Sequence, residues 1–232
     1  MSAETSAKQD PTTALRTFVR VALNEIISVV VLSVLFVIAC LSLVTIGAAM
    51  ISLVDTIYTS VTFTGTGGGI PPRTADRANY FVKQIWEYLW TGLLYTVVLI
   101  LAAANLYGFF RLAFLGGNVA SLLVGVAGLY LTTVILVVLF RAANIIVHAD
   151  EDDRPGAIGG LRLAWSSMTD NVGYEALHVV VAATIVLVAR SIPVAMIVVL
   201  PGLLALLEVL MYEELEGIGA EAILFAYTDP ND

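Results

Sequence analysis

Apolar positions fill this chain in long blocks, with charge confined to short breaks between them. The first block is uncharged from Ile26 to Val54. As one helix, its roughly 29 residues would measure about 43 Å against a hydrocarbon core of about 30 Å. It therefore either overshoots the bilayer or turns back within it. Five apolar stretches follow the polar start: Asn24 to about Val61, Tyr88 to Tyr107, Leu112 to Phe140, Ala176 to Ala189, and Ser191 to about Leu207. The last two reach membrane length by extending to Asn171 and Met211. Pro193 and Pro201 predict a kink in the final one, since proline removes a backbone donor that neighbouring helices can compensate.

Basic residues choose between the two readings of the first block. A single crossing puts Lys8, Arg16, Arg20, Arg111 and Arg190 on one side, five in all, and leaves six of the eleven on the other. A fold-back near Thr45-Ile46-Gly47 puts nine on the side of the N-terminus and only Arg111 and Arg190 opposite. Positive charge gathers on the cytoplasmic side, so the nine-to-two split predicts a helical hairpin with both termini cytoplasmic. Its arms are Asn24 to Thr45 and a shorter Ala48 to Thr62, tilted or re-entrant. The predicted fold is an all-α, polytopic transmembrane helical bundle of five to six membrane segments. A polar tail (1–15) precedes one helical domain (16–211), and an acidic tail (212–232) follows.

Two connections carry more than a linker needs. Residues 64–90 open with glycines and prolines, then place Tyr80, Phe81, Ile85, Trp86, Tyr88 and Trp90 among charges, as expected of a helix at headgroup level. Residues 150–171 set Ile158, Leu161, Trp165 and Met168 at helical spacing after Pro155, which predicts a short interfacial helix.

Composition sharpens the picture. Hydrophobic residues make up 59% of the chain, charged residues 13%, and mean hydropathy is +0.93. Soluble domains hold about 45–50% apolar residues, so the partner implied is the lipid bilayer of the cell membrane. The first apolar run is too long for a cleaved leader, and the N-terminus is expected to be retained. The net charge of −8 argues against nucleic acid. Two lysines against nine arginines, with many carboxylates, resemble the surfaces of proteins from salt-loving archaea. Cys40 is the single cysteine, which excludes a disulfide within the chain and leaves it a space-filling role.

The order of motifs bears a resemblance. Asn24 opens the first helix, "SLVTIGAAMISL" closes the run, and "RAANIIVHADEDDRPGAIGGLRLAWSSMTDN" precedes two proline-bearing helices. The chain is similar in this order to the YesL-like family of small polytopic membrane proteins of unknown molecular function. Thr45, Ile46, Gly47 and Ala49 match that family's hairpin pattern, while Ser42 and Ala48 stand where the family has prolines. The resemblance implies a non-catalytic accessory role in carbohydrate uptake, with ABC importer subunits as partners.

Candidate chemistry is sparse. A carboxylate inside the membrane is costly, so Asp55 faces either protein or water, as part of a proton or cation relay or as a solvated group near the interface. With Asn105, Arg141 and Asn144 it forms the candidate polar path of the competing reading, a small secondary transporter or channel. That reading requires the four to converge on one cavity. Arg190 and Glu208 lie at opposite ends of the last helix, each within reach of a surface, and are not expected to pair. His178, among valines and alanines, is expected to be buried and hydrogen-bonded. His148 beside Asp150, Glu151, Asp152 and Asp153 lacks the loop glycine of a calcium site. "GTGGGIPP" lacks the Gly-Lys-Ser/Thr ending of a phosphate loop, and neither G-x-S-x-G nor H-E-x-x-H occurs. No enzyme, metal or cofactor is expected. Gly117, Ser121 and Gly125 recur every four residues as a helix-packing face, either within the chain or in a homo-oligomer.

Overall fold

A computed structural model of the chain describes residues 11–65, 73–150, 153–216 and 219–228. Every regular element among them is helical: α1 (Pro11–Asn24), α2 (Ile26–Cys40), a 3-10 turn (Leu43–Thr45), α3 (Ile46–Gly65), α4 (Thr74–Glu87), α5 (Leu89–Gly116), α6 (Val119–His148), α7 (Ala157–Asp170), α8 (Val172–Arg190), α9 (Pro193–Val198), α10 (Leu200–Glu216) and α11 (Ala220–Thr228). Among the described residues, four helices are long and apolar enough to cross a membrane: Leu43–Thr64, Leu89–Gly116, Val119–His148 and Val172–Arg190. A fifth span exists if α1 and α2, bent by 84° at Glu25, count as one. The chain is a multi-pass integral membrane protein of helices, as its hydropathy predicts.

The first apolar block does fold back. Val29 and Leu32 of α2 share a small cavity with Ile57 and Val61 of α3, so the start of one helix lies beside the end of the other. Ser28 is also within 3.2 Å of Thr74, the first residue of α4. The turn is local hydrogen-bond chemistry: the Thr45 hydroxyl donates to the Ala39 carbonyl at 2.6 Å, closing the end of α2. The arm lengths come out reversed. The first arm is a 15-residue helix because Glu25 breaks the chain sharply ahead of it, whereas α3 runs 20 residues.

Helix α3 is the central post. Some 72% of its span is buried, against 17% for α5 and α8 and 22% for α6. Gly47 and Gly92 let α3 and α5 touch backbone to backbone, since a Cβ on Gly47 would overlap the Gly92 carbonyl oxygen. The Gly47 N–H donates to the Thr96 hydroxyl at 2.9 Å, and that hydroxyl donates to the Val44 carbonyl at 3.2 Å. The hairpin turn is thus tied to α5.

The break between α5 and α6 falls at Gly117 rather than at Arg111. Gly117 adopts φ +58°, a left-handed conformation that suits glycine, and Asn118 caps α6 by accepting from the Ser121 N–H at 2.8 Å. Gly117 therefore belongs to the turn, while Ser121 both serves the cap and donates to the Ala113 carbonyl of α5 at 3.3 Å. Gly125 packs on Ala113 and Gly128 on Phe109, so small residues here serve contact within the chain.

The final span is broken as its prolines predict. Val199 separates α9 from α10, with Pro193 opening the first and Pro201 second in the next. Ser33 of α2 seats in the break, accepting from the Gly202 N–H at 2.9 Å and donating to the Val199 carbonyl at 3.3 Å. Both presumed tails are partly folded: α1 begins at Pro11, and the boundary expected at 211/212 lies inside α10. Thr17 of α1 donates to the Ala220 carbonyl at 3.0 Å, so α1 and α11 share one end of the bundle.

Candidate functional site

The buried charges of α6, α8 and α10 collect at that same end. On α6, Arg141, Asn144 and His148 are spaced three and four apart and share a face. On α8, Glu175 and His178 do the same, as do Glu208 and Tyr212 on α10.

These three faces converge on Arg141, which is fully buried. Its Nε lies 2.8 Å from Glu208 Oε1 and its Nη2 2.6 Å from Glu175 Oε1. Asn144 Nδ2 donates to Glu208 Oε1 at 3.2 Å. His178 Nδ1 faces both carboxylates, 3.3 Å from Glu208 Oε2 and 3.4 Å from Glu175 Oε2. The Tyr212 ring lies 5.3 Å from the guanidinium carbon, a cation–π distance. Next to this core, His148 Nε2 sits 2.6 Å from Glu213 Oε1, and its Nδ1 is 2.9 Å from the Asn144 carbonyl. The Tyr58 ring lies tilted against His148 with ring centroids 4.0 Å apart, joining α3 to the group.

Asp55 forms a second, smaller centre one turn before Tyr58. It is buried and accepts hydroxyl hydrogen bonds from Tyr88 at 3.1 Å, Tyr80 at 3.3 Å and Thr59 at 3.3 Å. Neither lipid nor bulk solvent reaches it to any extent, because helix α4 and the start of α5 close over it. Burial and the Asp55 charge both raise the Tyr80 and Tyr88 hydroxyls, keeping them protonated as donors. The Arg154 guanidinium covers the Tyr88 ring at 5.5 Å.

A third lock holds the corner between α1 and α2. Glu25 takes a bidentate ion pair from Arg77 at 2.5 and 2.9 Å and a hydrogen bond from Tyr227 at 3.2 Å. Burial alone would raise the Glu25 carboxyl, but the Arg77 guanidinium outweighs it and holds the carboxyl below its ordinary value. Burial and then the Glu25 charge push the Tyr227 hydroxyl up to about 12.

The structure separates the residues expected to form one polar path. Arg141 and Asn144 meet, Asp55 occupies its own centre, and Asn105 is exposed on α5. Arg141 and Asn144 stand inside α6, not in the 141–170 loop, because the helix runs on to His148. Glu208 is 1% exposed and pairs with Arg141; Arg190 is not its partner, and Glu208 is no surface carboxylate. His178 is buried and hydrogen-bonded as predicted. Glu175 went unread in the sequence, although its spacing of three from His178 was a visible signal. Glu151 and Asp152 of the acidic run, and residues 66–72 of the glycine-rich loop, lie outside the described residues.

No group of metal-ligating side chains occurs among the described residues. At the Arg141 cluster, the guanidinium itself occupies the position between the carboxylates that a cation would take. Comparison of the chain with family models, curated proteins and solved structures gives no match.

Proposed function

We propose that this chain is a non-catalytic membrane component that supports solute uptake by packing against a partner membrane protein. Carbohydrate import through an ABC permease is the specific case implied by the order of its sequence motifs. The observation that supports the reading is the α5–α6 hairpin. Its 28- and 30-residue helices pack on each other through Gly125 and Gly128, yet most of their apolar surface faces outward. Such a hairpin offers a rigid face to lipid or to another helix pair. The two-sided charge count supports placing both termini in the cytoplasm, with α4 and α7 at the inner headgroup layer. Ile158 and Trp165 of α7 are exposed, as an interfacial helix requires.

Crosslinking in native membranes followed by purification tests this. Recovery of permease subunits attached to α5 or α6 is the expected result. A purified chain that moves a solute into liposomes by itself overturns it. That outcome would favour the second reading, a small proton-coupled carrier, which the Arg141 cluster supports by joining α6, α8 and α10 through ionisable groups.

A further inference from the structure

The Arg141 cluster does not balance its own charge. Arg141 brings one positive charge, and Glu175 and Glu208 bring two negative charges when ionised. All three side chains are at least nine-tenths buried. A net charge in such surroundings is unstable unless it is compensated, and the commonest compensation is a proton. His178 supplies the place for one, because its Nδ1 lies within 3.4 Å of an oxygen of each carboxylate.

Hydrogen-bond counting gives the same answer at His148. Its Nδ1 faces the Asn144 carbonyl, which can only accept, so Nδ1 carries a hydrogen. Its Nε2 faces Glu213 Oε1 at 2.6 Å. Two lone pairs do not approach that closely without a proton between them, and a neutral imidazole has no second hydrogen to give.

From this geometry we infer that the α6–α8–α10 junction is a proton-binding site holding two protons. One is shared among His178, Glu175 and Glu208, and the other lies between His148 and Glu213. The ligand class is the hydrogen ion itself. Asn144 joins the two halves, through its side chain to Glu208 and its carbonyl to His148. Among the described residues, the other titratable groups around them are Tyr174 on α8, Tyr212, Glu214 and Glu216 on α10, and Tyr58 and Asp55 on α3. The tyrosines are neutral, and the remaining carboxylates add negative charge, which favours proton uptake. His148 is the more exposed member, with 16% of its side chain accessible against 5% for His178, so protons enter by way of His148. The inference holds whether the chain assists an importer or acts alone.

The chain has only two histidines, so nitrogen-15 NMR of the full-length protein in detergent reads both sites directly. At neutral pH both imidazoles are expected to show the doubly protonated signature, or else infrared spectroscopy shows a protonated carboxyl in place of the missing imidazolium. E175Q removes one negative charge while keeping the side chain's shape, and it should return the His178 half to neutrality without changing His148. E213Q should do the converse. A singly protonated His178 beside two ionised carboxylates in the unmodified protein overturns the inference at that half. For His148, the overturning result is a singly protonated ring beside an ionised Glu213. H148Q, with a single remaining histidine, assigns the signals.

Discussion

Glu25 shows how one residue can set the entry to a membrane protein. It ends α1, turns the chain by 84° and is met by Arg77 and Tyr227 from distant parts of the sequence. A carboxyl held below its ordinary value contributes stability that is complete above its unfolded-state value of about 4.3 and is lost as pH falls through the folded one. Thermal unfolding in detergent should therefore show a loss of stability on acidification below that range. E25Q should be less stable near neutrality and lack this acid-dependent component. An unchanged acid profile in E25Q would assign the dependence to other carboxylates. The spacing of Glu25 and Arg77, 52 positions apart, gives a sequence reader no reason to pair them. Glu25 could be read only as the charge at the edge of an apolar run.

At the scale of elements, the contact between α3 and α5 depends on two glycines and a threonine. Gly47 was legible because it sat at the expected turn, but Gly92 was one glycine among eighteen. Its role appears only when α3 lies against it. Overpacking a tight contact costs about 1–3 kcal/mol, so G92L should lower the unfolding temperature and loosen the hairpin turn from Thr96. G108A is the control, since nothing lies within 4 Å of a Cβ there, and it should be at least as stable as the parent because alanine is the better helix former. The break at Gly117–Asn118 was misplaced to Arg111 because charge is the loudest signal in an apolar run. Arg111 is exposed on the helix and ends nothing, whereas Asn118 provides the cap.

For the molecule as a whole, orientation rests on the charge count, and two of the nine basic residues that the count assigns to the inner side prove to be structural. Arg77 and Arg141 are buried in ion pairs, which leaves seven against Arg111 and Arg190 to orient the chain. The bias survives their removal. In a C40A background, cysteines at Asn79 and Leu115 should react with an impermeant maleimide from opposite faces of the membrane, Asn79 from the inside. Both positions are exposed, so reactivity reports the side and not burial. Labelling of both from one face contradicts the topology.

Hydropathy and charge placement along the sequence were enough to establish a helical membrane protein, the fold-back at Thr45 to Gly47, the break at Pro193 and Pro201, and the short helix α7. These follow from solvent: apolar length, proline chemistry and charge asymmetry act on a segment whatever its neighbours are. Tertiary structure alone decided which helix is buried at the centre, that Asp55 is covered by tyrosines, and that Arg141, Glu175, Glu208 and His178 meet. Those outcomes depend on which faces of α3, α6, α8 and α10 turn toward one another. A side chain's electrostatic energy is set by partners tens of residues away, and no local pattern encodes that distance.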